Sequence, residues 1–182
     1  MAKTVAVLIG SLRKDSINQK FAHVLEKLAE GKLKFQILNI GDLPHYNDDL
    51  WANPPKSVVE LKDQVAASDA VLAIAPEYNR SYPGIIKNAL DWGTRPYGKN
   101  VWSGKPAAIT GASGGKIGAA VGQAHLRLDM LNDNMIVMHQ PELYLQWNAD
   151  DYGDDYSVKN EETRKFLMGF IDAFAAFIEK HA

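Results

Sequence analysis

The 182-residue chain contains no cysteine. Disulfides, thiolate nucleophiles and cysteine-ligated metals are therefore excluded, and any redox chemistry needs a bound cofactor. Long apolar runs are missing as well. No stretch approaches the ~20 residues of a membrane helix. Met1-Ala2-Lys3-Thr4 leads straight into a strand-like segment, without the apolar region of a signal peptide. The expectation is a cytoplasmic protein without a membrane partner. Charge of one sign is not in excess either. Twenty Lys and Arg against 22 Asp and Glu give a net charge of -2, so the basic footprint of a nucleic-acid binder is lacking. The five histidines have no ligand spacing. The run Asp150-Asp151-Tyr152-Gly153-Asp154-Asp155 lacks the distal glutamate of a calcium loop and reads as a solvated loop, so no metal site is expected.

What is present is an alternation of strand and helix signals over a 46% hydrophobic chain, enough for one domain spanning residues 1–182. Thr4 to Ile9 is a continuous apolar run that predicts a strand buried on both faces. Ile17, Phe21, Val24, Leu25 and Leu28 follow at helical spacing, with Gly31 as the stop. Leu33 to Ile40 reads as a second strand. Ser57 and Glu60 form a capping-box pattern ahead of a helix striped by Val58, Leu61 and Val65. Further strands are expected at Ala70 to Ala75, Pro106 to Gly111 and Met135 to Met138, and helices at Gly84 to Trp92 and Ile117 to Leu131. A last helix, capped by Asn160, should bury Phe166, Leu167, Phe170, Ile171, Phe174, Phe177 and Ile178. Such alternation implies right-handed crossovers and a parallel sheet covered on both faces. Five strands predict an α/β, flavodoxin-like three-layer sandwich with strand order 2-1-3-4-5.

Ligands in that architecture lie beyond the carboxyl ends of the strands, and three unusual loops leave those ends. Gly10 to Asn18 carries the hydroxyls of Ser11 and Ser16, the Asn18 amide, Arg13 and the N-terminus of a helix, a setting that favours an anion. The same serine also suits a simple helix cap. The loop has neither the dinucleotide glycine fingerprint nor a Walker A ending. Pro76-Glu77-Tyr78-Asn79-Arg80-Ser81-Tyr82-Pro83-Gly84 combines aromatic rings with a proline-stiffened backbone that can meet a flat ligand. Thr110 to Gly118 has no bulky side chain before Lys116, so its backbone, at Ser113, Gly114 and Gly115 in particular, can approach a ligand closely. A phosphate cradle, an aromatic loop and a glycine loop together match FMN. Trp51, Trp102 and Trp147 are candidates for an interface or an acceptor pocket.

The pattern Gly10, Ser11, Arg13, Ser16, Asn18, followed by Pro76-Glu77-Tyr78-Asn79, Pro83-Gly84, Lys87-Asn88-Ala89 and Asp91-Trp92, resembles the NADPH-dependent FMN reductase family from the first strand through Pro141-Glu142. Within it the chain is similar to NAD(P)H:acceptor oxidoreductases of the ferric, quinone and chromate reductase kind. The resemblance implies noncovalent FMN, NADH or NADPH as donor, small-molecule acceptors and a homodimer. It implies Ser11, Arg13, Ser16, Ile17 and Asn18 around the phosphate, and Pro76, Glu77, Tyr78 and Asn79 around the ring. Ser113, Gly114 and Gly115 would approach the ring's pyrimidine side. Arg80, on the ring loop, departs from the aromatic or small residue of several relatives, which leaves acceptor preference and tetramer formation open. Glu77 and Arg95 are the candidates for a charged substrate rim. The expected activity is ping-pong hydride transfer from NAD(P)H through FMN to an acceptor. The alternative is a flavodoxin-type electron carrier that does not oxidise nicotinamides, disfavoured by the weak net charge.

Overall fold

The computed structural model describes residues 2–181. Its sheet is wholly parallel, in the order β2-β1-β3-β4-β5, with β6 also paired to β4. The strands are β1 (Lys3–Ile9), β2 (Leu33–Ile37), β3 (Ala70–Ile74), β4 (Pro106–Ser113), β5 (Ile136–Val137) and β6 (Leu143–Gln146). The helices are α1 (Ile17–Leu28), α2 (Lys56–Ala66), α3 (Gly84–Thr94), α4 (Ala120–Asn132) and α5 (Glu161–His181). The flavodoxin-like order is the one the alternation predicts.

Side chains of successive strand residues point to opposite faces, and this divides the core in two. Val5, Val7, Ile9, Leu72 and Ile74 pack under α1 and α5. Ala6, Leu8, Val71, Ala73 and Ile109 pack under α2, α3 and α4. The continuous apolar runs of β1 and β3 are thus explained by burial on both sides.

Several local expectations are corrected. The fifth position of the sheet is two short strands, β5 against the start of β4 and β6 against its end. Between them His139 to Glu142 leaves the ladder around Pro141, after a last bond from the Met138 N–H to the Ala107 carbonyl. Ser57 caps nothing: α2 starts at Lys56 with Pro55 ahead of it and no side-chain cap, and Glu60 pairs instead with Lys56 at 3.3 Å. Phe166 falls outside the buried stripe of α5 and is 47% exposed. Trp102 lines no surface pocket; it is fully buried, and its indole lies where a Cβ on Gly93 would stand, 2.1 Å from that position. The acidic run is partly ordered by Asp155, whose carboxylate meets Lys27 at 2.8 Å. Among the described residues no helix is long and apolar enough to cross a membrane.

Candidate functional site

The three loops predicted from sequence converge at the carboxyl ends of β1, β3 and β4. A cleft of about 190 Å³ is lined there by Ser11, Arg13, Ser16, Ile17, Asn18, Pro76, Glu77, Tyr78, Ala112 and Ser113. An open groove between α1 and β2 is larger, 640 Å³. The small cleft is the one on which glycine-bearing loops and helix N-termini converge.

The first loop is held open by its own hydrogen bonds. Ser16 Oγ accepts from the N–H groups of Asn18 and Gln19, so it caps α1. Its hydroxyl proton stays available for a ligand. The reciprocal half of a capping box does not form, because the Gln19 amide donates to the Ser11 carbonyl. Among the described residues the N–H groups of Ser11, Leu12, Lys14, Asp15 and Ile17 have no partner, and no carboxylate pairs with the exposed Arg13. Unpartnered donors, a free guanidinium and the α1 N-terminus make an anion cradle.

Asn18 lines the cleft and also ties two loops together. Its buried side chain donates to the Ala112 carbonyl and accepts from the Ala112 N–H, both at 2.9 Å. Both ends of the amide are engaged by β4, so Asn18 clamps the first loop to the third, and one of its two amide N–H groups stays free.

The second loop is a two-residue hairpin. Tyr78 and Ser81 exchange both backbone hydrogen bonds, at 2.8 and 3.0 Å, with Asn79 and Arg80 at φ 51° and 66° between them. Two left-handed residues define the turn that suits a tight hairpin. Asn tolerates this conformation; Arg80 is held there against its preference. The anchor is Glu77. Its Oε2 accepts from the N–H groups of Val121 and Gly122 at 3.0 and 3.2 Å, and its Oε1 meets Arg80 at 3.1 Å. α4 has no side-chain cap of its own, since Ala119 stands there at φ 64°. The Glu77 carboxylate supplies it from another loop.

Close approach explains two glycines. A Cβ on Gly10 would lie 3.0 Å from Pro76 and Pro83, which lets the first loop pack on the second. A Cβ on Gly111 would stand 2.0 Å from the Ala75 carbonyl oxygen. In the third loop Gly114 has open space around it, and the Gly115 N–H folds back onto Ser113 Oγ at 3.1 Å.

Arg95 is not brought to this cleft. α3 begins beside the hairpin and runs antiparallel to the strands for 11 residues, which carries its end roughly 16 Å away. Arg95 lies there beside Asp91, Tyr97 and Asp133. The direction of the helix was the signal available in the sequence. Among the described residues no group of three or more His, Asp or Glu is placed to hold a metal.

A parallel sheet with an anion cradle, a stiff hairpin and a glycine loop at one switch point defines a flavodoxin-like, flavin-binding class of protein. Residues 3–149 match the profile of the family described as NADPH-dependent FMN reductase. The chain is 43% identical over 178 residues to a 2-hydroxy-1,4-benzoquinone reductase of Burkholderia sp., covering 98% of this chain and 97% of that one. It is 45% identical over 177 residues to a quinone reductase of Pseudomonas putida, covering 97% and 95%. The solved structure of FerB, a flavoenzyme NAD(P)H:(acceptor) oxidoreductase from Paracoccus denitrificans, superposes with a TM-score of 0.98 at 63% identity over 99% of each chain. The chain belongs to the NADPH-dependent FMN reductase family and is an oxidoreductase. Membership brings FMN as cofactor and NAD(P)H as electron donor. The cradle fits the phosphate of that cofactor, with its unpartnered donors, one free guanidinium and no competing anion.

Proposed function

We propose that the chain is an FMN-dependent NAD(P)H:acceptor oxidoreductase that works by a ping-pong scheme, with quinones, ferric chelates and chromate as acceptor classes. The observation that carries this reading is the cradle of unpartnered N–H groups and Arg13 set beside the hairpin and the glycine loop. Ser11, Arg13, Ser16 and Ile17 would hold the phosphate through side chains and backbone, and Asn18 would fix the loop that does so. Pro76, Glu77, Tyr78, Asn79 and Arg80 would frame the ring on one side, and Ser113, Gly114 and Gly115 on the other.

At about 190 Å³ the cleft is below the roughly 300 Å³ at which ligand pockets begin. It suits the phosphate and sugar chain, and leaves the ring on open surface between the hairpin and the glycine loop. One exposed face then serves nicotinamide and acceptor in turn, which is the basis of the ping-pong scheme. When bound, FMN supplies the two-electron chemistry that no side chain of this cysteine-free chain provides. The protein contributes alignment. Half-exposed Tyr78 and Ile117 give the rim an apolar character suited to quinones, and the exposed Arg80 attracts nicotinamide phosphates.

The reading includes a homodimer in the cytoplasm. α4 carries a second, outward apolar stripe at Val121, Ala124, Leu128 and Leu131, with Leu128 68% exposed. That 3-4-3 spacing is the seam of a helix pair. In that homodimer Arg95, far from the cleft of its own chain, would serve the substrate rim of the partner.

Purified protein should be yellow and release one FMN per chain on denaturation. Anaerobic NADH or NADPH should bleach it without a partner protein, and initial rates should give parallel double-reciprocal lines. Absence of bleaching would make it a carrier. Intersecting lines would remove the ping-pong scheme.

A further inference from the structure

Three carbonyl groups at the far end of α3 converge on one side chain. Lys62 Nζ, on α2, donates to the carbonyl oxygens of Gly93 at 3.1 Å, Arg95 at 2.5 Å and Lys99 at 2.8 Å. An ammonium has three N–H donors, so all three are matched. The first acceptor belongs to the last turn of α3. The other two bracket a projecting tip, Arg95 to Lys99, whose own bonds are the turn Lys99 N–H to Pro96 and the bond from Arg95 N–H to Trp92. Tyr97 on the tip is 93% exposed. Nothing else from α2 holds the tip by a hydrogen bond among the described residues.

The surroundings of this lysine are unlike those of an ordinary ion pair. The Trp51 ring centroid lies 5.7 Å from Nζ, and no carboxylate pairs with it among the described residues. The tip presents like charges, Lys99 and Arg95, while the carboxylate in the last turn of α3, Asp91, pairs with Lys87, so α3 offers Lys62 a carbonyl oxygen. Lys105 is a useful contrast. It also caps a helix end, donating to the carbonyls of Ala66 and Ser68, but the Asp69 carboxylate stands near to favour its charge.

We propose that Lys62 is a positioning residue, a three-way clasp that fixes the Arg95–Lys99 tip and with it the Arg95 guanidinium, and that the clasp opens when the ammonium loses its proton. A neutral amine keeps two donors and no charge, so the grip on the carbonyls falls by more than one bond. Burial, reinforced by Lys99, lowers the Lys62 pKa to about 8, which places the opening within an accessible pH range. The structural part of the proposal stands alone. Its consequence for turnover rests on the reading that Arg95 belongs to the substrate rim of a dimer.

Limited trypsin digestion of the intact holoenzyme reads the clasp directly, because the Lys99 carbonyl held by Lys62 is the one trypsin must attack. Cleavage at Lys99–Asn100 is compared with cleavage at Lys159–Asn160, an exposed loop bond, at pH 7 and pH 9. In the wild type the ratio should rise about tenfold, the change in neutral fraction of a group titrating near 8. In Lys62→Met, which keeps an apolar stem beside Trp51, the ratio should be high at both pH values. A wild-type ratio that does not change with pH, or a variant ratio equal to that of the wild type, overturns the clasp. Should Lys62→Met fail to fold, the wild-type profile decides alone. The Michaelis constant for NAD(P)H, measured over the same range, should rise in the wild type and stay flat in the variant. Cleavage as expected with an unchanged constant keeps the clasp and removes Arg95 from the rim.

Discussion

The two ends of the sheet handle the same helix dipoles in opposite ways. At the carboxyl end, α1 and α4 point their N-termini into the cleft. α1 is capped by Ser16 while the loop N–H groups ahead of it are left unpartnered, and α4 is capped from a distance by Glu77. At the amino end, helix carbonyls are covered by lysines from neighbouring segments: Lys62 of α2 covers the end of α3, and Lys105, just before β4, covers the end of α2. Positive potential is thus left open in the loop ahead of α1, while the carbonyls at the ends of α2 and α3 are covered. The difference teaches where to look for function: at the dipole ends a protein declines to neutralise.

That contrast can be broken most severely at Asn18. Asn18→Ala removes two buried hydrogen bonds to Ala112 and leaves the Ala112 groups unpaired. A loss of about 3 kcal/mol in stability is expected, together with weaker FMN retention, and urea melts of the apo and holo forms check both. Arg13→Ala should separate function from folding. FMN affinity should fall about 100-fold, the loss of one charge-assisted pair of bonds, while apo stability stays within about 0.5 kcal/mol. Fluorescence titration with FMN and a thermal melt measure the two; equal affinity in the variant would remove Arg13 from the cradle.

Asp133 sharpens the amino-end side. It follows α4 as its C-cap, buried, where an acid opposes the helix dipole, and burial lifts its pKa to about 6. The folded chain therefore keeps a proton that the unfolded chain releases between about pH 4 and 6, so this group lowers stability as pH climbs through that window. Asp133→Asn should raise stability at pH 7.5 by about 1–2 kcal/mol, with the gain vanishing below about pH 4 in melts across the range. The smallest effect is expected at Arg80. Arg80→Gly relieves its left-handed φ of 66° and gives up an ion pair whose arginine is 66% exposed. The net should be a gain of about 0.5–1 kcal/mol in chemical denaturation.

The layers of the fold were legible because helical and strand periodicity are local. β1, β3 and the buried stripe of α1 follow from runs a few residues long. β6 was not legible, because four residues after an interruption at Pro141 carry too short a pattern; only the end of β4 gives them a partner. At the site, the positions of Ser11, Arg13 and Ser16 could be read from the loop after β1. The true partners of Asn18 and Glu77 could not, since they lie 94 and 44 residues away in sequence. The displacement of Arg95 was readable from helix length and direction, and shows that nearness in sequence to a loop is not nearness to its site.

The Asn18 clamp also has a consequence in time. During synthesis the first loop emerges almost a hundred residues before the backbone that holds it, since Asn18 and Ala112 are separated by 94 positions. Closing so long a loop is among the later events of folding. The cradle therefore matures only when the centre of the sheet is complete, and the appearance of flavin binding becomes a clock for the last steps of assembly, readable by following flavin fluorescence during refolding.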